Sequence, residues 1–285
     1  MKISIVIPYY NAITTINRCL KSISKQTHKD IEVIIVDDYS DIPLKEEDLI
    51  IKCNIIRNNT NIGPSESRHV GIQATTGDYI TTIDADDEYS HDKIFYRCIK
   101  EIEKHDADIV QFGLKTIKNN TVKGTNIMLY GVYTSLMDRH NSTANRGGCR
   151  FPNRYLVKSD LYKSIPFIPY RIQLYEDTNL AMKLVYLATK IVSIPYIGYT
   201  YHYTEGSMSS RSYEYGALDK LIYLLDFLLF LLNRKELFSI KCIQGCIKEI
   251  KDSSIIKSIN INTDLAKDKL NTIKNLREEI KNKDI

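Results

Sequence analysis

The sequence predicts an α/β protein with a mostly parallel sheet, helices on both faces and a helical C-terminal extension. Three observations carry this prediction. Short apolar runs alternate with helix-period segments through the first half of the chain. Several of those runs end in acidic or polar clusters. From Tyr213 onward, Leu and Ile recur at helical spacing to the end.

Taken in order, Ile3 to Ile7 reads as a strand ended by Pro8. Ile13, Ile16, Leu20 and Ile23 follow at helical spacing, with Asn11 or Thr14 available as the N-cap. Glu32 to Val36 is a second strand, closed by Asp37-Asp38, and Cys53 to Ile56 is a third. Ser65 to Thr75 reads as a helix stopped by Gly77, and Tyr79 to Ile83 as a fourth strand ending in Asp84. Ile94 to Lys104 is helical, and Asp108 to Phe112 is a strand. From Lys115 to Arg154 the pattern weakens, with Gly, Asn and Thr frequent, so irregular structure over the sheet edge is expected. Thr178 to Leu187 reads as a helix and Ile191 to Ile194 as a strand. No internal repeat is evident.

A chain of 285 residues holds one large α/β domain, or a domain with a helical appendage. The net charge of +4 resides in the tail, where 12 Lys and Arg face 8 Asp and Glu from Asn233 onward. A neutral body with a mildly basic tail argues against a nucleic-acid partner. The six cysteines form no C-x-x-C pair and have no His at ligand spacing, as expected of reduced thiols in a cytoplasmic protein. Lys2 to Pro8 reads as a strand rather than the n- and h-regions of a signal peptide. On that reading the Asn-x-Thr triplets at Asn58, Asn119 and Asn141 are not glycosylated. The longest apolar run, Leu221 to Leu232, is interrupted by Asp226 and too short to span a bilayer.

In open α/β sheets, ligands bind at the carboxyl ends of the strands. That rule selects Pro8 to Asn11, Asp37-Asp38 and Asp84-Ala85-Asp86-Asp87 as parts of one site. Two carboxylates separated by one residue can reach the same hard divalent cation, Mn²⁺ or Mg²⁺, which takes its other ligands from substrate phosphates. An isolated D-x-D is more often a solvated turn; here it follows an apolar strand and has company. A carboxylate of Asp37-Asp38 can accept a base N–H, with Tyr9 or Tyr10 as a stacking face; an acidic turn is the bland alternative. Glu176-Asp177 opens a helix, where a carboxylate serves either the helix dipole or an acceptor hydroxyl as general base. Arg68 can pair with a phosphate or a carboxylate. His202, among tyrosines, is a metal or pyrophosphate ligand or a hydrogen-bonded structural residue.

These segments together resemble the family-two glycosyltransferases, the inverting, bacterial enzymes of GT-A fold. Ser4 to Asn11 is similar to their opening strand and turn. Ile35-Val36-Asp37-Asp38-Tyr39-Ser40-Asp41 resembles V-D-D-G-S-x-D, with Tyr39 in place of the usual Gly. Asn61 to Ile72 is similar to N-x-G-x-x-x-A-R-N-x-G-I, and Gly77 to Asp87 to the strand carrying D-x-D. The resemblance implies Pro8, Tyr10 and Asp38 around the nucleobase and Arg68 near the base or phosphates. It further implies Asp84 near ribose or metal, and Asp86 as principal ligand of Mn²⁺ or Mg²⁺. Glu176-Asp177 looks like the family's E-D element, with Asp177 as base and Glu176 in the donor site. Tyr201-His202 through Ser207-Met208-Ser209 is similar to a segment that closes over the donor, with His202 where Arg is commoner. The resemblance runs from Lys2 to Ser210. It implies a catalytic domain over 1–210 (nucleotide-sugar half 1–112, acceptor half 113–210) and nothing beyond it; the helical extension over 211–285 is read from the helical spacing of Leu and Ile alone.

The expected activity is inverting transfer from a nucleotide sugar, UDP-linked, to a glycan or lipid-linked glycan hydroxyl. The rivals are a binding or scaffold member without activity, and a nucleotidyltransferase. The second would want a Gly-rich, basic phosphate loop early in the chain, which Pro8 to Asn11 does not provide. The Leu-rich tail can pack on the catalytic domain, pair with a second copy, or lie at the cytoplasmic face of a membrane beside its basic helices.

Overall fold

A computed structural model of the chain describes residues 1–144, 151–166, 175–203, 216–234 and 264–281. It divides into two compact units, residues 1–167 with 184–205, and residues 168–183 with 206–285.

The first unit contains a ten-stranded sheet. Its strands are β1 (Ile3–Tyr9), β2 (Ile31–Asp37), β3 (Asn54–Arg57), β4 (Tyr79–Thr82), β5 (Glu88–Tyr89), β6 (Ile109–Lys118), β7 (Thr121–Asn126), β8 (Gly131–Tyr133), β9 (Tyr155–Lys158) and β10 (Ile191–His202). The order is β3-β2-β1-β4-β9-β6-β10-β5, with β7 added to β6 and β8 to β10. β1 pairs in parallel with β2 and β4, and β2 with β3. β9 is antiparallel to both β4 and β6, and β10 is parallel to β6. β3, β2, β1, β4, β6 and β10 therefore all point the same way, with β9 reversed among them.

The apolar runs follow from this placement. β1 is buried at every position because it lies between two strands and under helices on both faces. Its odd residues, Ile3, Ile5, Ile7 and Tyr9, join the core with Ile16, Cys19, Leu20 and Ile23 of α1 (Ile13–Ser24). Ile94, Phe95, Cys98 and Ile102 of α3 (Ile94–His105) complete that layer. On the other face, α2 (Pro64–Gln73) lies directly on the sheet. A Cβ on Gly71 would stand 2.4 Å from Val6 Cγ1 and 3.0 Å from Val36 Cγ2. Glycine there lets the helix backbone approach the strands, and Pro64 at its first turn suits the fixed proline φ. Pro8 costs β1 no ladder bond to β4, whose pairing ends at Val6 and Thr82.

Three elements differ from the sequence expectation. α1 is capped at Ala12 without a side-chain hydrogen bond, so neither Asn11 nor Thr14 caps it. Asn11 instead adopts φ 50°, exchanges hydrogen bonds with Asp41 and donates its backbone N–H to Ser40 Oγ. The stretch expected to be irregular holds β7, β8 and α4 (Leu136–Ala144), and β9 follows directly after it, leading into the short α5 (Ser159–Lys163). The strand expected to end at Ile194 runs on to His202, with register shifts between Ser193 and Tyr199.

At the amino ends of the strands, Glu32 accepts from Lys2 Nζ (2.7 Å), Ser4 Oγ (2.5 Å), Thr76 N (2.6 Å) and Gly77 N (3.1 Å). Burial pushes its pKa up, but these donors outweigh it and hold the carboxyl at about 2 against an ordinary 4.5. A depressed folded-state pKa adds stability above the unfolded value and loses it as pH falls toward the folded one. Thermal melts should therefore show wild type losing stability between pH 4.5 and 2, with its advantage over Glu32→Gln vanishing toward pH 2. A gap that is constant with pH would contradict this.

The described residues of the second unit are mostly helical. It contains the start of α6 (Glu176–Leu187), α7 (Gly216–Asn233) and α8 (Asp264–Lys281). In α7, residues 218–219, 221–225 and 227–231 are buried, which covers nearly its whole circumference. One of them is Asp219, ion-paired with the equally buried Lys269 of α8. Removing one partner strands the other charge, so Asp219→Asn should cost about 3–5 kcal/mol in chemical denaturation. Asp219→Leu with Lys269→Leu should recover most of that loss. No helix among the described residues is long and apolar enough to cross a membrane.

Candidate functional site

The carboxyl ends of β1, β2 and β4 deliver the residues singled out by the sequence to one edge of the sheet. Tyr9 pairs with Asp37 in the β1–β2 ladder, and Asp38 N donates to Tyr9 O at 2.8 Å. Tyr9 itself is buried in the core, whereas Tyr10 is 51% exposed. Of the two rings, Tyr10 is the one available for stacking.

The two neighbouring aspartates have different tasks. Asp37 is fully buried and accepts from Ser40 N (2.9 Å), Leu44 N (3.2 Å) and Arg57. Burial raises its pKa, but Ser40, Leu44 and Arg57 together hold it below the ordinary range. It shapes the loop. Asp38 is enclosed by the segment leading to α2, accepting from Asn58 Nδ2 (2.9 Å), Ile62 N (2.8 Å) and Gly63 N (2.8 Å). Asn61 Nδ2 donates to Asp38 O (3.1 Å), and Gly63 turns the chain at φ 94°. Asp38 Oδ2 takes only one of these bonds, so an acceptor site remains on it. Tyr39, where glycine is usual, sits at φ 62° with its ring under the Arg57 guanidinium, 5.2 Å from the centroid. That contact offsets part of the cost of a left-handed tyrosine.

α2 links this half of the site to the acidic loop after β4. Asn58 Nδ2 also reaches Ser67 Oγ (3.0 Å), and the adjacent Arg68 donates to Asp84 Oδ1 at 2.7 Å. Asn153 Nδ2 donates to the other oxygen, Asp84 Oδ2, at 3.1 Å. Asp87, buried, accepts from Tyr199 Oη (2.5 Å) and His202 N (2.8 Å). The His202 ring meets Glu88 Oε1 at 3.1 Å. Desolvation, then the charges of Asp84 and Asp86, push the Asp87 carboxyl well up.

Asp86 differs from its neighbours. Arg18 donates to its backbone oxygen, but among the described residues no side chain donates to its half-buried carboxylate. Desolvation, then repulsion from Asp84, raises its pKa. A carboxylate in that position suits a hard divalent cation. Among the described residues no three His, Cys, Asp or Glu converge on one point. The residue of this loop that could hold a cation, together with substrate phosphates, is Asp86, with Asp84 beside it.

Pro8, Tyr10, Asp38, Arg68, Asp84, Asp86 and His202 thus share one sheet edge. Glu176 and Asp177 belong to the helical unit, at the start of α6. Tyr175, at φ 71°, stacks on Tyr223, Asn179 Nδ2 donates to Tyr223 O (3.0 Å), and Lys183 pairs with Asp226 (2.6 Å). One side of α6 is in this way fixed to α7. Asp177 Oδ1 accepts from Thr178 N at 2.7 Å. The segment Ser207 to Ser209 lies outside the described residues. Sequence reasoning missed Asn153 and Tyr199, which belong to no motif of the acidic loop.

A family model described as glycosyl transferase family 2 matches residues 4–174. The amylovoran biosynthesis glycosyltransferase AmsB of Erwinia amylovora is 37% identical over 98 residues, 32% of this chain and 33% of that protein. Glycosyltransferase GlyG of Streptococcus pneumoniae is 25% identical over 232 residues, 74% of each chain. The matches to AmsB and to an uncharacterized Haemophilus influenzae glycosyltransferase span about a third of those proteins' length. In structure, S. aureus TarS 1-349 in complex with UDP-GlcNAc superposes with a TM-score of 0.71 at 18% identity, covering 98% of this chain and 82% of that one. At that identity the likeness shows a shared fold.

Proposed function

Because the chain belongs to glycosyl transferase family 2, we propose that it moves a sugar from a UDP-sugar to an acceptor hydroxyl, with inversion. The observation that carries this reading is the acidic loop 84–87, where side chains hold the Asp84 and Asp87 carboxylates and, among the described residues, none donates to the carboxylate of Asp86.

Tyr10 stacks on the base, and Asp38 accepts a base N–H on its remaining Oδ2 site beside Pro8. Arg68 and Asp84 are assigned to the phosphates and ribose, and Glu176 and His202 to donor binding, on family resemblance. A Mn²⁺ or Mg²⁺ ion on Asp86, with Asp84 next to it, would neutralise charge on the departing nucleoside diphosphate. Asp177 takes the proton of the acceptor hydroxyl as that oxygen attacks the anomeric carbon from the face opposite the leaving group. An α-linked donor then yields a β-glycoside. No covalent sugar–enzyme intermediate is needed, so no nucleophile is assigned.

The UDP-GlcNAc bound to TarS and the amylovoran biosynthesis named for AmsB support a hexosyl or N-acetylhexosaminyl donor and a role in surface glycan assembly. The acceptor is a glycan or lipid-linked glycan at the cytoplasmic face of a membrane. We divide the chain functionally into a catalytic part over 1–210 and a helical extension over 211–285, the latter available for membrane contact or dimerisation.

A hydrolysis screen over UDP-, GDP-, CMP- and dTDP-sugars, with Mn²⁺ or with EDTA, tests the reading. Metal-dependent release of UDP from one donor is expected. If no donor is cleaved, and UDP with Mn²⁺ leaves the melting temperature unchanged, the assignment fails.

A further inference from the structure

The acidic loop is gripped by a residue that no motif announces. Asn153 lies in the short 3-10 turn Pro152–Arg154, immediately before β9. Thr82 Oγ1, at the end of β4, donates to Asn153 Oδ1 at 2.5 Å. Asp84 decides the orientation of the amide: a carboxylate only accepts, so Nδ2 turns toward it and Oδ1 toward the Thr82 hydroxyl, which can donate. Nδ2 then faces Asp84 Oδ2 at 3.1 Å and Tyr199 Oη at 3.4 Å. The same Tyr199 hydroxyl donates to Asp87 Oδ2 at 2.5 Å.

The turn beneath Asn153 is anchored in its own right. Arg154 is almost completely buried. Its Nε donates to Phe112 O at 2.8 Å, and its guanidinium also reaches Asn126 Oδ1 and Met128 Sδ, both at 3.2 Å. β6 and the end of β7 thereby hold the turn in place. Asp84 is consequently fixed from two sides, by Arg68 of α2 on one oxygen and Asn153 on the other.

We propose that Asn153 is the positioning residue of the acidic loop, orienting Asp84 for the donor's ribose and phosphates and, through Tyr199, setting Asp87. The inference rests on the transferase reading above. A residue that orients a ligating carboxylate typically costs 10–100-fold in affinity or activity when removed. Asn153→Ala should weaken UDP binding, measured calorimetrically with and without Mn²⁺, by about that factor. The donor KM should rise in step, with the melting temperature close to that of wild type. Asn153→Asp has the same shape but no N–H, and sets a further negative charge against Asp84. It should bind UDP more weakly than Asn153→Ala, the reverse of what a packing role would give. Thr82→Val should show a smaller loss in the same direction. In an Asp84→Asn background, Asn153→Ala should add little to the loss of UDP affinity.

Asn153→Asp binding UDP as tightly as wild type would overturn the inference. So would an Asn153→Ala penalty that is equal in the wild-type and Asp84→Asn backgrounds. If Asn153→Ala unfolds, Asn153→Asp and Thr82→Val carry the same test. Wild-type protein that binds no nucleoside diphosphate would overturn the transferase reading and this inference together.

Discussion

Replacing Asp86 by Asn should lower turnover by roughly three orders of magnitude while leaving the fold intact. A cation that stabilises a departing diphosphate supplies several kcal/mol at the transition state, and about 4 kcal/mol corresponds to roughly 10³-fold in rate. The substitution keeps the shape of the side chain and the Arg18 bond to the backbone oxygen of residue 86. It also removes one of the carboxylates crowded into residues 84–87, where desolvation and then mutual repulsion raise the pKa of Asp86 and of Asp87. In EDTA the variant should therefore melt at the same temperature as wild type or higher. The gain in melting temperature that wild type shows with UDP and Mn²⁺ should be lost. Turnover within tenfold of wild type would remove Asp86 from the site.

Asp177→Asn should reduce turnover by about 10²–10⁴-fold, the usual contribution of a general base, with UDP and Mn²⁺ binding within a few-fold of wild type. Asparagine is chosen because the competing explanation for Asp177 is local. Its Oδ1 accepts the Thr178 N–H at the start of α6, and an amide oxygen can do the same. A variant that keeps its stability and its activity would mean that Asp177 serves the helix and not the acceptor. Asp177→Ala would confuse the two roles, since a carboxylate in the first turn of a helix contributes about 0.3–1 kcal/mol by itself.

The parts legible in the sequence are those where burial or backbone geometry leaves a pattern. β1, β2 and β4 are buried on both faces over most of their length and so read as short, mostly apolar runs, with the site residues placed at or just beyond their ends. Gly63 and Gly71 each stand where the backbone requires glycine, at a positive φ and at a close helix–strand approach. β7 left no such trace, because nearly every one of its residues is exposed and neither face alternates. Its one signal was Asn119-Asn120, both left-handed at φ 50° and 58°, the turn chemistry of a tight hairpin. β9 has four residues, too few to establish a period. The extension of β10 to His202 passes Pro195 and a shifted register, where alternation breaks. Asn153 was invisible for a different reason. A single amide acquires its role only when residues 82, 84 and 199 meet it in space.

The reversed strand β9 also constrains the order in which this chain folds. The block β3-β2-β1-β4 is complete by residue 82. β6, which follows it in sequence, does not pair with β4; the position between them belongs to residues 155–158. During synthesis, which proceeds from the N-terminus, the block must wait with the edge of β4 open until that segment has emerged. An open strand edge is a template for pairing with another chain, and pairings distant in sequence form slowly. The few bonds that Tyr79 and Ile80 make to Lys158 and Val157 therefore close the gap on which both the speed of folding and escape from aggregation depend.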